Sequence, residues 1–274
     1  MCDHCVMEAV KSKMLDRRDF FKGVALASAA AAVGAATPAT AVEVNIANGK
    51  PTDLTHELHE GFPTYFGKPG VSAKSIYNFK ENGFNVNVLT VNEHTGTHMD
   101  APLHFSADGH SVAEVPVETL FCPLAIIDIR EKAAADADAQ VTPDDLKAYI
   151  SANGPIPDGA CVAMMSGWDK FTNSDKFRNA DDKGKMHFPG FHIEATKMLL
   201  EETKTVGMAV DSLSLDHGIS ADFVTHYAWL PTNRWGLECV ANLDALPVKG
   251  ATLVVGAPKM RGGSGGPTRV MALS

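Results

Sequence analysis

The chain has 274 residues, of which 45% are hydrophobic and 21% are charged, and its formal net charge is −9 at pH 7. Such a chain is long enough to bury a core and has the composition of a soluble globular protein. Because its negative charge repels phosphate backbones, we expect no nucleic-acid partner.

The first 41 residues have the three parts of an export signal, and we predict that they are removed from the mature protein. Arg17 and Arg18 precede an apolar run from Gly23 to Ala36, and small residues lead to a predicted cleavage after Ala41. The arginine pair resembles a twin-arginine signal. The apolar run is shorter than the roughly 20 residues of a spanning helix, so we expect no stable membrane insertion after signal removal. This predicts recognition by the twin-arginine (Tat) export machinery and a periplasmic location.

Residues 42–274 contain no internal repeat or low-complexity linker, which predicts a single domain. The segment GFNVNVLTVNEH (83–94) alternates apolar and polar residues, as a half-buried strand does, and it leads into a histidine-rich motif. Short apolar runs predict buried strands at 123–129, 161–165, 206–210 and 252–257. Cys122, Cys161 and Cys239 have apolar neighbours and are odd in number, which favours buried free thiols.

Three helices are predicted among these strands. Thr142 caps a helix that runs from Pro143 to Gly154, and residues 192–204 have helical spacing. Ser220 is the predicted cap of a helix over 221–230, in which His226 flanks an apolar stripe. The fold class is therefore α/β or α+β, with a mixed β-sheet core flanked by helices.

The stretch HTGTHMDAPLH occupies residues 94–104. Gly96, a proline and two threonines disfavour a helix there. In an extended or irregular loop His98 and Asp100 point the same way, and Gly96 lets the backbone bend so that His94 converges on them. Imidazole nitrogen and carboxylate oxygen are ligands for zinc, manganese or iron.

A solvated loop, or histidines satisfied by backbone hydrogen bonds, is the alternative interpretation of this stretch. His104 adds a further imidazole, and residues 81–122 contain no lysine or arginine. A cation accounts for so many unprotonated donors beside a carboxylate, so a metal site is favoured.

The pattern His-x-Gly-Thr-His-x-Asp-x-Pro-x-His resembles the signature of the metal-dependent cyclase family, which includes bacterial kynurenine formamidases and isatin hydrolases. Six further segments are similar to the family in the same order: DLTHELHEGFPTYFG, SGWDKF, PGFHIEATKMLL, VDSLSLD, HYAWLPTNRWGLECVANLDALP and GAPKMRGGSGGPTRVMAL. The resemblance covers most of residues 42–274 and implies a swivelling β/β/α fold.

The resemblance also implies roles for individual residues. His94, His98 and Asp100 would bind a divalent metal, and Asp100 would bridge to a second ion completed by His226 and Glu238. Isatin hydrolases resemble this arrangement with one metal and an amide side chain in place of the glutamate. The carboxylate of Glu238 therefore favours two ions, which we expect to be Zn²⁺, with Mn²⁺ as an alternative.

The remaining site residues concern proton transfer and substrate binding. By resemblance, His104 would donate and accept the proton. Tyr65 takes a position that the family usually gives to tryptophan, which puts an indole-sized stacking platform in doubt, and Phe66 lies beside it. The segment GGSGGP has the wrong ending for a serine nucleophile elbow and predicts a tight turn.

The leading prediction is a metal-dependent amidohydrolase that acts on non-peptide C–N bonds with metal-activated water. By resemblance it is arylformamidase-like, converting N-formylkynurenine to kynurenine and formate in tryptophan catabolism. A second candidate is an isatin hydrolase-like enzyme for a cyclic amide or lactone. A non-catalytic metal-binding envelope protein is the contrasting class, and it would not need His104. The resemblance further implies a small-molecule substrate and a homo-oligomer, either a dimer or a tetramer.

Overall fold

The computed structural model describes residues 49–274, so the predicted signal at 1–41 lies outside the described residues. The strands in this range are β1 (Pro51–Asp53), β2 (Val71–Tyr77), β3 (Val86–Val91), β4 (His98–Asp100), β5 (Phe121–Asp128), β6 (Gln140–Val141), β7 (Cys161–Met165), β8 (Gly190–Phe191), β9 (Gly207–Val210), β10 (Trp235–Glu238), β11 (Thr252–Gly256), β12 (Gly265–Pro267) and β13 (Arg269–Leu273). The helices are α1 (Phe79–Asn82), α2 (Arg130–Ala135), α3 (Pro143–Asn153), α4 (Ile193–Glu202) and α5 (Val224–Trp229). None of these helices has the length and apolar composition that crossing a membrane requires.

Nine strands form one mixed sheet in the order β1-β13-β11-β5-β7-β9-β10-β4-β12. The central strands β5, β7, β9 and β10 run parallel to their neighbours in that group. The strands at both ends of the order pair antiparallel. Parallel neighbours need a crossover, and α3, α4 and α5 lie in the three connections between the parallel strands. The predicted mixed sheet with flanking helices is confirmed.

The sheet is covered on both faces and curls around one of its cores. Leu124 and Ile126 of β5 belong to one buried cluster, whereas the intervening Ala125 and Ile127 belong to another, as the period of a strand requires. The first cluster also contains side chains of β13, β10 and β4, which come from both ends of the strand order. The two ends of the sheet therefore bend towards each other over this core. The helices α3, α4 and α5 cover the second cluster.

The helices predicted at 143–154 and 192–204 are confirmed as α3 and α4. Asp145 forms a capping box with Thr142, in which the Asp145 carboxylate accepts the backbone N–H of Thr142 at 2.7 Å and the Thr142 side chain accepts the backbone N–H of Asp145. A ring nitrogen of His192 accepts the N–H of Glu194 at 3.1 Å and caps α4. Strands form at all four predicted positions, as β5, β7, β9 and β11. The predicted burial is wrong for β11, in which only Leu253 and Val255 are buried.

The helix that carries His226 begins later than predicted. Its N-cap is Phe223, and Ser220 is not the cap, because the Ser220 hydroxyl donates to Asp216 Oδ1 at 3.3 Å. The carboxylate of Asp216 instead accepts the backbone N–H of Thr225 at 2.9 Å and that of His226 at 3.1 Å. A side chain from the segment after β9 thus caps α5 across space and fixes the position of His226.

Residues 86–91 form a strand as predicted, but the expected half-burial is wrong. The strand β3 pairs only with β2, in a two-stranded ribbon separate from the main sheet, and every one of its residues is exposed. The alternation of apolar and polar residues therefore does not mark a face packed on the core of residues 49–274. The strand still leads directly into the histidine-rich motif.

The three cysteines of the described range are buried free thiols, as predicted. Burial raises the pKa of Cys122 to about 12 and holds the pKa values of Cys161 and Cys239 well above the ordinary thiol value. All three are therefore protonated and unreactive near neutral pH.

Candidate metal centre

A cavity of about 840 Å³ opens where β9 and β10 end. Ligands of parallel sheets commonly bind at the carboxyl ends of the strands. The histidine-rich motif, the segment after β9, the end of β10 and several aromatic rings form its wall. The polar and aromatic residues that line it include Tyr65, Phe66, Lys68, Asn92, His94, His98, His104, Phe105, Ser214, Phe223, His226 and Glu238.

The histidine-rich motif converges as its spacing predicted. His98 and Asp100 are the two ends of β4, so their side chains project from the same face. Gly96 has a φ of 69°, a left-handed conformation that turns the preceding loop back on the strand. His94 Nδ1 consequently lies 2.7 Å from Asp100 Oδ1, and His98 Nε2 lies 3.3 Å from the same oxygen.

Two residues from distant parts of the chain join this motif. The strand β10 pairs antiparallel with β4, and Glu238 lies directly opposite His98. Glu238 Oε2 is 3.4 Å from His98 Nε2. His226, on α5, places its Nε2 3.1 Å from Glu238 Oε1 and 3.4 Å from Asp100 Oδ2. The structure therefore brings together all five residues that the resemblance implied as metal ligands.

Two groups of three side chains in the described residues have possible ligand atoms within 4.8 Å of one another. One group consists of His98, Asp100 and Glu238, and the other of His94, Asp100 and His104. Asp100 belongs to both groups. These residues therefore form a candidate site for a divalent cation.

Unsatisfied polar atoms test whether the residues fit a cation. His98 and Asp100 are 3% and 1% exposed, yet His98 Nε2 and Asp100 Oδ2 have no hydrogen-bond partner among the described residues. Buried polar atoms are almost always paired, because an unpaired one costs about 1–3 kcal/mol. Both atoms belong to the convergent cluster, so a bound cation would satisfy them together.

The charges of the cluster lead to the same conclusion. Burial lowers the pKa of His98, but the carboxylates of Asp100 and Glu238 outweigh it and raise that pKa to about 10. Burial likewise opposes protonation of His226, and Asp100, Asp216 and Glu238 nevertheless hold its pKa well above the ordinary value. The buried carboxylates thus require positive charge, from protons or from a cation. A divalent cation supplies that charge and releases the protons.

Hydrogen bonds from Nδ1 of His98 and His226 orient the other ring nitrogen, Nε2, towards the cluster. His98 Nδ1 donates to the carbonyl of Gly96 at 2.8 Å. His226 Nδ1 donates to Asp216 Oδ2 at 2.6 Å. In both rings Nε2 then carries the lone pair and faces the cluster. Metal-binding histidines in proteins are held in this way by a carbonyl or a carboxylate.

Glu93 and Ser264 extend the cluster and were not predicted. The Ser264 hydroxyl donates to Glu93 Oε2 at 2.5 Å and lies 2.9 Å from His94 Nε2. Because its proton is directed at the carboxylate, Ser264 accepts the Nε2–H of His94, and His94 Nδ1 is left facing Asp100. The position of Glu93 immediately before His94 was the available signal for its role.

The segment GGSGGP is not simply the predicted tight turn. Residues 265–267 form β12, which pairs with β4, and a Cβ on Gly265 would lie only 2.3 Å from the Met99 carbonyl oxygen. The glycine therefore allows close approach of two backbones. The expectation that this segment lacks the ending of a serine elbow was wrong, because Gly262, Ser264 and Gly266 have the Gly-x-Ser-x-Gly spacing. Ser264 nevertheless precedes an edge strand and donates to a carboxylate, so it is not an activated nucleophile.

His104 lies at the end of a 3-10 turn formed by Pro102–His104. Its ring stacks on that of His94, with centroids 3.7 Å apart and planes inclined by 20°. Burial lowers the pKa of His104 to about 4, so the imidazole is neutral at neutral pH. A neutral imidazole on the wall of the cavity can accept a proton.

Aromatic rings form the part of the cavity wall next to His226. Tyr65 lines the cavity as expected, with its ring centroid 5.6 Å from that of Phe223, whereas Phe66 is 79% exposed at the mouth. Phe105 lies 5.5 Å from Phe223 and 4.6 Å from His226, measured between ring centroids. Phe105 and Phe223 were not predicted, although Phe105 directly follows His104. Phe223 has a φ of 50°, a strained conformation for a bulky residue.

Known proteins resemble this chain over most of its length. The family model described as "Putative cyclase" matches residues 52–217. Isatin hydrolase from Roseibium aggregatum is 35% identical over 225 residues, which are 77% of this chain and 84% of that protein. The solved structure of isatin hydrolase A from Ralstonia solanacearum has a TM-score of 0.79 at 32% identity and covers 88% of this chain and 99% of that one.

A second group of relatives, the kynurenine formamidases, matches a shorter part of this chain. Kynurenine formamidase from Bacillus anthracis is 36% identical over 78 residues, which are 28% of this chain and 37% of that protein. These findings confirm the predicted resemblance and the predicted fold.

Replacement of Asp216 by asparagine tests the orientation of His226. Asp216→Asn keeps an oxygen that can cap α5 but removes the charge that holds the Nδ1–H of His226. We expect the affinity for Zn²⁺ or Mn²⁺ to fall about 10- to 100-fold, as measured by competition with a chromophoric chelator. Asp222→Asn, which alters an exposed carboxylate six residues away, should bind metal normally. Unchanged affinity in Asp216→Asn would contradict this role.

Proposed function

The chain belongs to the cyclase family of metal-dependent hydrolases, and from this premise we propose that it opens a cyclic aryl amide of the isatin class by hydrolysis. Similarity to isatin hydrolases over almost their whole length carries the proposal. The formamidase similarity spans little more than a third of that enzyme, so it supports C–N hydrolysis more strongly than it supports a formamide substrate. The aromatic wall of the cavity suits a flat aromatic ring.

Five side chains would hold the metal in this proposal. His94, His98, Asp100, His226 and Glu238 offer nitrogen and oxygen donors that suit zinc and manganese alike. Because one oxygen of Asp100 lies beside His94 and the other beside His226, and because Glu238 adds a second carboxylate, we propose two Zn²⁺ ions, with Mn²⁺ as the alternative. When bound, such ions supply Lewis acidity that polarises a carbonyl and brings the pKa of water towards about 7.

His104 would move the proton. Its neutral ring accepts a proton from the water that attacks the amide carbonyl carbon, and it returns that proton to the nitrogen as the C–N bond breaks. One water is consumed, and the opened product carries an amine and a carboxylic acid, which releases its proton to solvent at neutral pH. The stack on His94 fixes the ring plane of His104 during both transfers.

The aromatic residues would orient the substrate. Tyr65, Phe105 and Phe223 surround the side of the cavity next to His226, so an aromatic ring placed among them directs its amide towards the histidines. The same rings exclude water from that side. Phe66, at the mouth, can contact only the outer part of a ligand.

Glu238 favours a second candidate, hydrolysis of an aryl formamide such as N-formylkynurenine. By the resemblance, isatin hydrolases carry an amide at this position, whereas the formamidases carry a carboxylate. The buried carboxylate of Glu238, 3.1 Å from His226 Nε2, is the observation that supports this candidate.

A substrate comparison decides between these candidates. We expect the metal-loaded protein to hydrolyse isatin with a kcat/KM at least about tenfold above that for N-formylkynurenine, measured by absorbance. Removal of metal by a chelator should abolish turnover, and Zn²⁺ or Mn²⁺ should restore it. The reverse preference would support the formamide. Failure to turn over isatin, formamides or lactones at full metal occupancy would favour the non-catalytic metal-binding protein.

Replacement of His104 tests the proton transfer. We expect His104→Ala to lower kcat about 10²- to 10⁴-fold while the metal content, measured by elemental analysis, is unchanged. His59→Ala, which alters an exposed histidine, should leave both quantities unchanged. In the wild type, activity that needs neutral His104 is present above its pKa and falls as the pH decreases through about 4. Loss of metal from His104→Ala would make His104 a ligand instead.

We also propose that residues 1–41 direct export to the periplasm by the twin-arginine route, supported by Arg17-Arg18 and the short apolar run that follows. Joint replacement of Arg17 and Arg18 by lysine keeps the charge but removes the paired guanidinium groups. We expect the protein to remain in the cytoplasm, with its precursor uncleaved, when cell fractions are compared by immunoblot. Lys13→Arg should be exported normally. Export of the double variant at the wild-type level would rule out this route.

A further inference from the structure

The loop that carries Tyr65, residues 63–69, lies between two cavities. One is the cavity of the candidate metal centre, and the other has a volume of about 470 Å³. Four residues of the loop line both cavities: Pro63, Thr64, Lys68 and Pro69. A segment bordered by cavities has few packing contacts to hold it in place. The position of this Tyr65 loop therefore depends on its hydrogen bonds and on a few neighbouring side chains.

The Tyr65 loop has a fixed shape. The N–H of Gly67 donates to the carbonyl of Thr64 at 3.0 Å, and the hydroxyl of Thr64 donates to the carbonyl of Lys68 at 2.7 Å. Both bonds are internal to the loop. They determine how it turns but not where it lies relative to the metal ligands, so a contact with the rest of the protein is needed.

Arg178 makes that contact. Its Nη2 donates to the carbonyl of Tyr65 at 3.1 Å, from 113 positions further along the chain. Its guanidinium also lies against Gly67, because a Cβ at that glycine would be 2.9 Å from Nη1 and 3.1 Å from Cζ. Arg178 Nε is buried without a hydrogen-bond partner among the described residues. The side chain therefore does not adopt this conformation to satisfy its own donors.

Arg178 is itself held by the body of the protein. The preceding residue, Phe177, is fully buried, and its carbonyl accepts the Nε1–H of Trp168 at 2.9 Å. The following residue, Asn179, donates its side-chain amide to the carbonyl of His187 at 2.9 Å. Because the residues on both sides of Arg178 are bonded to other segments, its guanidinium is a fixed point for the Tyr65 loop.

The contact with Arg178 determines where the ring of Tyr65 lies. That ring is 5.6 Å from the ring of Phe223, which is 5.7 Å from the ring of His226, measured between centroids. A shift of the Tyr65 backbone would move its ring away from this wall. Arg178 lines the second cavity but is not among the residues that line the cavity of the metal centre.

We propose that Arg178 is a positioning residue, which holds the backbone of Tyr65 so that the aromatic wall fits the ring of the substrate. It acts from behind the Tyr65 loop and touches neither the substrate nor the metal. The effect on substrate binding rests on the proposed function, whereas the effect on the loop does not. Loss of Arg178 should therefore weaken substrate binding and leave metal binding and proton transfer intact.

Kinetics of the metal-loaded protein with isatin test this role. We expect Arg178→Ala to raise KM about tenfold, while kcat stays within about twofold and the metal content is unchanged. Arg178→Lys keeps an N–H donor for the Tyr65 carbonyl and should raise KM no more than about threefold. Arg269→Ala removes an exposed arginine that donates to Asp53, and it should change neither constant. A parallel loss of kcat and metal in Arg178→Ala would overturn the proposal.

A double variant tests whether Arg178 acts through Tyr65. We expect Tyr65→Ala to raise KM on its own, because it removes the ring that Arg178 positions. Adding Arg178→Ala to that variant should then change KM less than about twofold. Independent, multiplicative effects of the two substitutions would show that Arg178 acts on something else.

Hydrogen exchange tests the contact without any turnover. We expect the amides of residues 62–69 to exchange at least about tenfold faster in Arg178→Ala than in the wild type, while those of β4 and β10 are unchanged. Equal exchange of the loop in both proteins would refute the positioning role. If the wild type hydrolyses no amide but its loop responds as expected, the proposed function fails and the role of Arg178 in placing Tyr65 is supported.

Discussion

The pairing of β4 with β10 is the constraint on which the candidate site depends. It places Glu238 opposite His98 although 140 positions of chain separate them, and it leaves the two ends of β4 on one face. The strand β12 closes the other side of β4, and Gly265 permits this because a side chain there would collide with the neighbouring backbone. A three-residue strand inserted between two partners thereby gathers buried carboxylates and imidazoles. Their loss of water and the repulsion between the carboxylates are costly unless positive charge offsets them.

The local part of the site was predictable from sequence because its geometry is local. His94, His98 and Asp100 lie within seven residues, and strand period together with a flexible glycine brings them together. Nothing in the spacing predicts that His226 and Glu238 meet them, since that contact arises from strand order. Only the resemblance to a family pointed to it.

Other features were not predicted, and each has a physical reason. Ser264 lies in a glycine-rich segment, and glycine indicates a turn as readily as a close approach between strands. The start of α5 was misplaced because Ser220 has the chemistry of a cap, whereas the acceptor that forms the cap comes from Asp216, outside the helix. The alternating pattern of β3 identifies a strand but does not determine which sheet the strand joins or whether its apolar face is buried.

The three enclosed thiols bear on the export that we propose for this chain. An oxidising compartment joins cysteines that are solvent-accessible and ionised, and a partly folded chain with an odd number of them is at risk of mispairing. Here Cys122, Cys161 and Cys239 are shielded by the finished sheet and remain protonated. The proposed export in the folded state would suit this interior, because the thiols are enclosed before an oxidising compartment is reached.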